Sequence, residues 1–72
     1  MPRKIRELKA DLRRAGFDYR RAKGSQTSWT HPSLPGVSVT ISGNDGDDAR
    51  PYQERDVRSA LARLEDAKGQ RQ

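Results

Sequence analysis

The 72-residue sequence has no cysteine, a single histidine, one tryptophan, one phenylalanine and no long apolar run. Since cysteine is absent, neither disulfides nor cysteine-ligated metals can supplement the core. No apolar segment approaches the ~18 residues of a membrane span, and the N-terminus lacks the apolar stretch of a signal peptide. We therefore expect a soluble cytoplasmic protein, although the absence of cysteine is also compatible with an extracellular one.

A chain of this length predicts one small domain. Domains of this size bury only about 60% of the surface that the unfolded chain exposes, so the core must be small. A cofactor cavity of about 300 Å³ or more would hollow it out. We therefore predict a surface site without a cofactor. The residues predicted to form the core are Ile5, Leu8, Leu12, Phe17, Tyr19, Trp29, Val37, Val39, Ile41, Val57, Leu61 and Leu64.

The positive charge is concentrated in the first third of the chain. The net charge is +5, and residues 1–23 hold nine Lys/Arg against three Asp/Glu, which gives +6. Residues 24–49 hold three aspartates and no Lys or Arg, and residues 50–72 hold six Lys/Arg against four Asp/Glu. A localised positive field favours a polyanion partner, of which nucleic acid is the commonest. The alternative is a charged surface that only keeps the protein in solution.

The spacing of apolar residues predicts a first helix that begins near Pro2 and ends before Gly16. At 100° per residue, Arg6, Lys9 and Arg13 fall on one flank of this helix, which is a candidate phosphate-binding surface. The alternative is a solvated helix face supported by ion pairs. The apolar stripe of the helix comes from Ile5, Leu8, Leu12 and Ala15.

Three strands are predicted in residues 17–21, 28–31 and 37–42, from alternating apolar and polar residues and from residue types that favour strands. Short turns rich in glycine, serine and proline connect them, which makes the sheet an antiparallel meander. On this interpretation Ser38 and Thr40, followed by Ser42, lie on the solvent-exposed side of the sheet.

A second amphipathic helix is predicted over residues 51–67. Both helices should pack on the apolar face of the three-stranded antiparallel sheet, which gives a single-domain α+β fold in the order α-β-β-β-α. Residues 1–67 would form this domain, and residues 68–72 a disordered C-terminal tail.

The loop Asn44–Asp48 has the composition of a calcium-binding loop but not its spacing. In a loop that starts at Asp45, Arg50 and Asp56 occupy the positions that need glycine and glutamate. We therefore predict no metal site. We expect the aspartates to lie near the N-terminus of the second helix, where negative charge is favoured.

The only histidine, His31, is a candidate catalytic residue. Cleaving RNA without a metal needs one group that takes the 2′-hydroxyl proton and another that supplies a proton to the leaving oxygen. Histidine is the side chain that titrates near neutral pH. The alternative is a surface or capping residue at a strand end. Gln26 and Thr27 can form hydrogen bonds but do not titrate near pH 7.

Several short motifs, in this order, resemble the HicA family of bacterial toxins over roughly residues 3–66. They are Lys4-Ile5-Arg6-Glu7-Leu8, Ala15-Gly16-Phe17, Lys23-Gly24-Ser25, His31-Pro32 and Val37-Ser38-Val39-Thr40. The resemblance implies a fold similar to the double-stranded-RNA-binding domain, ribosome-independent mRNA interferase activity and a partner antitoxin, HicB. RNA, as mRNA or a structured RNA, would then be the ligand.

The same resemblance assigns candidate site residues. The family's usual signature is Gly-Ser followed by one or two histidines, the second of which is regarded as catalytic. Gly24 and Ser25 match, whereas Gln26 and Thr27 occupy the histidine positions. His31 matches a separate histidine that precedes proline in many members. The predicted catalytic set is thus Thr27, Gln26 and His31, and the predicted RNA contacts are Gly24, Ser25, Lys23, Arg20, Arg21, Lys9, Arg13 and Arg6.

Three functions remain open from the sequence. The first is a toxin that binds RNA and cleaves it with Gln26, Thr27 and His31 around the scissile phosphate. The second is a non-cleaving relative that binds structured RNA or an antitoxin through the same surface. The third is a protein-interaction module whose basic helix meets an acidic partner. Fold and RNA affinity can be inherited without nuclease activity.

Overall fold

The computed structural model describes residues 3–69, which form two helices and a three-stranded sheet. The elements are α1 (Ile5–Arg14), β1 (Asp18–Arg21), β2 (Thr27–Thr30), β3 (Ser38–Ile41) and α2 (Pro51–Gly69). The order α-β-β-β-α is confirmed, as is the antiparallel meander, in which β2 lies between β1 and β3.

The register of the sheet separates its two faces. Tyr19, Trp29 and Val39 are cross-strand partners and therefore share one face, whereas Arg20 and its partner Ser28 lie on the other. Trp29 is only 1% exposed, so the first face packs against the helices. We call this the core face and the opposite one the open face.

Most of the predicted core is buried as expected. The prediction was wrong for Tyr19, which is 52% exposed because β1 is an edge strand whose entire length stays accessible to solvent. Val37 and Leu61 are half-buried at the margin of the core. Leu34 and Ala49 are buried although they lie outside the regular elements. As predicted, Ser38 and Thr40 are exposed, and Ser42 just after β3 is half-buried.

The loop after β3 caps α1, not α2. The first-turn amides of Ile5 and Arg6 donate to the carbonyl oxygens of Asp47 and Asp45, at 2.9 and 3.1 Å. The Lys4 ammonium and the Asp48 carboxylate form an ion pair at 2.6 Å. These contacts serve the first helix, and a favourable effect of the aspartates on the N-terminus of the second stays a prediction. Their carbonyl oxygens satisfy amides that every helix leaves unpaired at its N-terminus.

The other helix boundaries lie close to the predicted ones. Gly16 has a φ of +98°, the left-handed conformation that ends a helix, and its amide donates to the carbonyl of Arg13 at 3.0 Å. Helix α2 continues through Gly69, two residues past the predicted end. Pro2 and residues 70–72 of the predicted tail lie outside the described residues. Within residues 3–69, neither helix combines the length and apolar character needed to cross a membrane.

Candidate nucleic-acid interface

A shallow groove of about 310 Å³ lies where the β1–β2 turn meets α1 and the loop after β3. We call it the hairpin groove. It brings together six of the residues predicted to form the site, from α1, β1, the turn and β2. Its lining comprises Lys9, Arg21, Gly24, Ser25, Gln26, Thr27, Gly43, Asn44 and Asp45.

Helix α1 and strand β1 each bring one cation to this groove, Lys9 and Arg21. Lys9 and Arg13 are four residues apart and therefore neighbours on one flank of α1. The Arg13 guanidinium lies 5.6 Å from the centre of the Tyr19 ring, which places this flank beside β1. Arg21 is on the same face of β1 as Tyr19 because side chains alternate along a strand. The cations of two elements thus meet at the β1 edge of the sheet.

The β1–β2 turn, which borders the groove, contains two backbone amides without a protein acceptor among residues 3–69. The turn is closed by hydrogen bonds from the amide of Ala22 to the carbonyl of Gln26, at 3.0 Å, and from the amide of Gln26 to the carbonyl of Lys23, at 2.9 Å. Gly24 occupies the bend with a φ of +57°. Within residues 3–69, the amides of Gly24 and Ser25 donate to no protein acceptor. Consecutive amides at such a bend can bind an anion.

The hydroxyl of Ser25 connects the turn to the loop after β3. Its Oγ accepts a hydrogen bond from the amide of Gly43 at 3.3 Å, which leaves the hydroxyl proton able to donate. Gly43 has a φ of +111°, a conformation that disfavours other residues. The two loops that border the groove are therefore held together directly.

One carboxylate lies inside the groove. Asp45 Oδ1 accepts a hydrogen bond from Lys9 Nζ at 2.8 Å. This hydrogen bond and the charge of Lys9 lower the pKa of Asp45, with smaller contributions from Arg13 and Arg6. Asp45 is consequently ionised at neutral pH, and it competes with any bound phosphate for the Lys9 ammonium.

Thr27, at one of the two positions where the family carries histidine, has a structural role. Its Oγ1 accepts a hydrogen bond from Trp29 Nε1 at 2.9 Å and donates to the carbonyl of Ile41 at 3.3 Å. The Trp29 side chain is almost completely buried, so its N–H needs a partner within the protein. The Thr27 hydroxyl proton is therefore engaged in the sheet and does not point to a substrate.

His31 follows the opposite end of β2 and does not line the hairpin groove. Its Nδ1 accepts a hydrogen bond from the amide of Ser33 at 3.0 Å. Its ring makes an edge contact with Phe17, with ring centres 5.1 Å apart. A Cβ at Gly16 would lie 3.2 Å from Nε2, so the ring also covers the end of α1. This geometry favours the capping role. A catalytic role for His31 stays a prediction.

The remaining predicted RNA contacts are distributed over different surfaces. Arg20 is on the open face, opposite to Arg21, so these adjacent residues do not converge. Lys23 is exposed in the turn but does not line the groove. Arg6 is exposed on α1, and its amide donates to the carbonyl of Asp45. A contact between RNA and any of these side chains stays a prediction.

A larger groove, of about 610 Å³, separates β3 from α2. We call it the β3–α2 groove. Tyr52, Asp56 and Arg63 contribute to its lining, so it combines charges of both signs. Within the described part of the chain, no group of three His, Cys, Asp or Glu side chains is placed to hold a metal ion.

The family model described as "HicA toxin of bacterial toxin-antitoxin" matches residues 5–68. This range contains all three strands and nearly all of both helices. The chain belongs to the HicA toxin family. Comparisons with curated proteins and with solved structures found no match. The family match confirms the resemblance carried by the sequence motifs and places this HicA family member in the context of toxin–antitoxin systems.

Proposed function

We propose that this HicA family member binds RNA through the hairpin groove and that it does not cleave RNA by histidine-dependent proton transfer. The principal support is that Lys9 and Arg21 line the same groove as the unpaired amides of Gly24 and Ser25. Lys9 is distant in the sequence from the other three residues, yet all four line one groove.

The lining groups complement the chemistry of an RNA backbone. The guanidinium of Arg21 can bind two phosphate oxygens at once, whereas the ammonium of Lys9 acts as a point charge. Amides at a glycine bend add neutral donors. The hydroxyl of Ser25 and the side-chain amide of Gln26 can bind a ribose 2′-hydroxyl, the group that distinguishes RNA from DNA.

The same groove offers no obvious proton-transfer group. Among the described residues that line it there is no histidine. Thr27 is committed to Trp29 and Ile41, and Asp45 is held in its ionised form by Lys9. General acid–base catalysis is most efficient when the pKa of the group lies near the working pH. These observations favour RNA binding without turnover over the cleaving toxin.

The family context supports an antitoxin partner of the HicB type, and we propose that it covers the hairpin groove. An antitoxin with an acidic segment would satisfy Lys9 and Arg21 in place of phosphate. RNA and antitoxin would then exclude each other. Arg21→Ala should weaken the binding of both RNA and the antitoxin. Arg20→Ala should leave both interactions nearly unchanged.

The proposed function is tested by RNA binding at several salt concentrations. The double variant Lys9→Ala/Arg21→Ala should bind on the order of 100-fold more weakly, because two charged hydrogen bonds, each worth about tenfold in affinity, are lost. Its slope of log K against log salt should fall by about 2, because two phosphate contacts are lost. The matched control is Arg58→Ala/Arg63→Ala on α2, which removes the same charge. Equal losses of RNA affinity in both double variants would refute the assignment of the RNA site to the hairpin groove.

A separate assay addresses turnover. The unmodified protein is incubated with RNA in EDTA, and the RNA length is followed with time. We expect no shortening. Shortening that disappears in His31→Ala or in Thr27→Ala would contradict the proposal and would favour the cleaving toxin instead.

A further inference from the structure

Tyr19 is an exposed aromatic residue on the core face of the sheet. Its ring packs at an angle of 31° against Trp29, with ring centres 5.0 Å apart. Because β1 is an edge strand, 52% of Tyr19 remains exposed. The Arg13 guanidinium lies 5.6 Å from the ring centre, a cation–π distance. Trp29 packs against this ring and the Arg13 guanidinium lies over it, so a flat ligand would stack beside these groups or in place of the guanidinium.

This surface lies next to the hairpin groove. Tyr19 and Arg21 are two residues apart in β1, so their side chains project from the same face, about 6.7 Å apart along the strand. Arg21 lines the groove beside Lys9 and Gly24. A nucleotide whose phosphate contacts Arg21 could therefore place its base on Tyr19.

We propose that Tyr19, together with Arg13, stacks an unpaired base of the RNA held in the hairpin groove. This inference rests on the proposed RNA-binding function and specifies its substrate class: single-stranded, looped or bulged RNA. Unpaired bases stack on aromatic rings and on arginine guanidinium planes, whereas a continuous duplex keeps its bases stacked inside. Stacking on an aromatic side chain tolerates any base, because every base has a π face.

The chain contains a matched control in Tyr52. It is 46% exposed, close to the value for Tyr19, but it lies in the β3–α2 groove beside Asp56. A general effect of losing an exposed tyrosine should appear equally at both positions. An effect of base stacking should appear only at Tyr19.

The test uses the full chain and three RNA probes of equal length. These are a single strand, the same strand with abasic riboses, and a blunt duplex. Tyr19→Ala should weaken binding of the single strand by about 5- to 150-fold, the range found for base–aromatic stacking. Its affinity for the abasic strand should stay unchanged. Tyr19→Phe should retain binding, Tyr52→Ala should match the unmodified protein, and the duplex should bind more weakly than the single strand.

Several outcomes would overturn the proposal, and they separate it from the proposed function. Salt-dependent binding with equal affinity for the abasic and base-containing strands would retain RNA binding and reject stacking. Equal losses on both strands in Tyr19→Ala, with Tyr19→Phe normal, would assign Tyr19 to holding Arg13 and the groove. Absence of salt-dependent binding to every probe would reject both proposals. Thermal unfolding of each variant identifies a loss that comes from misfolding.

Discussion

The two edges of the sheet differ in the helix that lies beside them. On the β1 side, α1 contributes Arg13, which lies over Tyr19, and Lys9, which is paired with Asp45 and lines the hairpin groove together with Arg21. At the β3 edge, α2 contributes Asp56 and Arg63, and their charges offset each other. Both helices pack on the same face of the sheet, so the fold alone does not create the difference. The sequence of the helix flank decides which edge can attract a polyanion.

Exposed apolar area does not distinguish the two edges. Each has one exposed tyrosine, and Tyr19 and Tyr52 differ by only a few per cent in exposure. The hydrogen bonding of backbone groups differs more between the two edges. Near the β3 edge, the carbonyl of Ser42 accepts a hydrogen bond from the side-chain amide of Gln53 at 2.9 Å. At the β1 edge, the turn leaves the Gly24 amide without an acceptor among the described residues. Charge, and not apolar surface, is therefore what favours the β1 side of the sheet in the proposed function.

The largest expected change comes from restoring histidine in the hairpin groove. Gln26→His/Thr27→His should introduce RNA cleavage in EDTA, because general acid–base catalysis contributes about 10²- to 10⁴-fold to such reactions. The imidazole at position 27 must also replace the threonine oxygen as acceptor for Trp29 Nε1. The matched control introduces histidine in the β3–α2 groove, as Ser59→His. Two results would contradict the assignment of the RNA site to the hairpin groove. One is RNA cleavage by Ser59→His, and the other is no cleavage by a double variant that is folded and binds RNA.

Two single variants, each lacking an arginine on one face of β1, show which face of the strand binds RNA. Arg21→Ala should weaken RNA binding about tenfold, since one charged hydrogen bond to phosphate is lost. Arg20→Ala removes the same charge from the open face and should change the affinity much less. Fluorescence anisotropy with a labelled RNA measures both. A greater loss in Arg20→Ala would move the interface to the open face.

The Thr27 hydroxyl should matter for stability more than for binding. Thr27→Val leaves Trp29 Nε1 without its acceptor, and we expect a loss of about 1 kcal/mol in the free energy of unfolding. Thr40→Val, on the open face near the β3 edge, should change it by less than about 0.5 kcal/mol. Urea denaturation measures both variants. If Thr27→Val were as stable as Thr40→Val, the hydroxyl would be available for another role.

The smallest expected change comes from the carboxylate in the hairpin groove. Asp45→Asn releases Lys9 and should raise RNA affinity by a few-fold at low salt, with the gain vanishing at high salt. Because Lys9 lowers the pKa of Asp45, the pair stabilises the fold at neutral pH, and this contribution disappears as the pH falls through the lowered pKa. The melting temperatures of the protein and Asp45→Asn should therefore converge in acid. Asp56→Asn in the β3–α2 groove should leave RNA affinity unchanged.

The sequence was sufficient for the order of elements because each has a clear period. Leu8 and Leu12 recur at helical spacing, and Val39 and Ile41 alternate as strand residues do. The alternation also implied that Arg20 and Arg21 lie on opposite faces. Grouping them as one contact surface overlooked that signal, although it was present in the sequence.

Other features depend on contacts between distant parts of the chain. The exposure of Tyr19 could not be predicted from alternation, which assigns a face but does not say whether a helix covers it. The capping of α1 by the carbonyl oxygens of Asp45 and Asp47 joins segments about 40 residues apart. The hydrogen bond between Trp29 and Thr27 was the most accessible of the missed features, since residues two apart in a strand share a face.

Mapping of the RNA footprint by NMR is the most direct test of the proposal that RNA binds in the hairpin groove and beside Tyr19. Amide chemical shifts of the unmodified protein are followed during titration with a single-stranded RNA. We expect the largest chemical-shift changes at Lys9, Tyr19, Arg21 and residues 24–27 and 43–45, with little change around Tyr52 and Arg63. Largest changes along β3 and α2, or on the open face around Arg20, would contradict it.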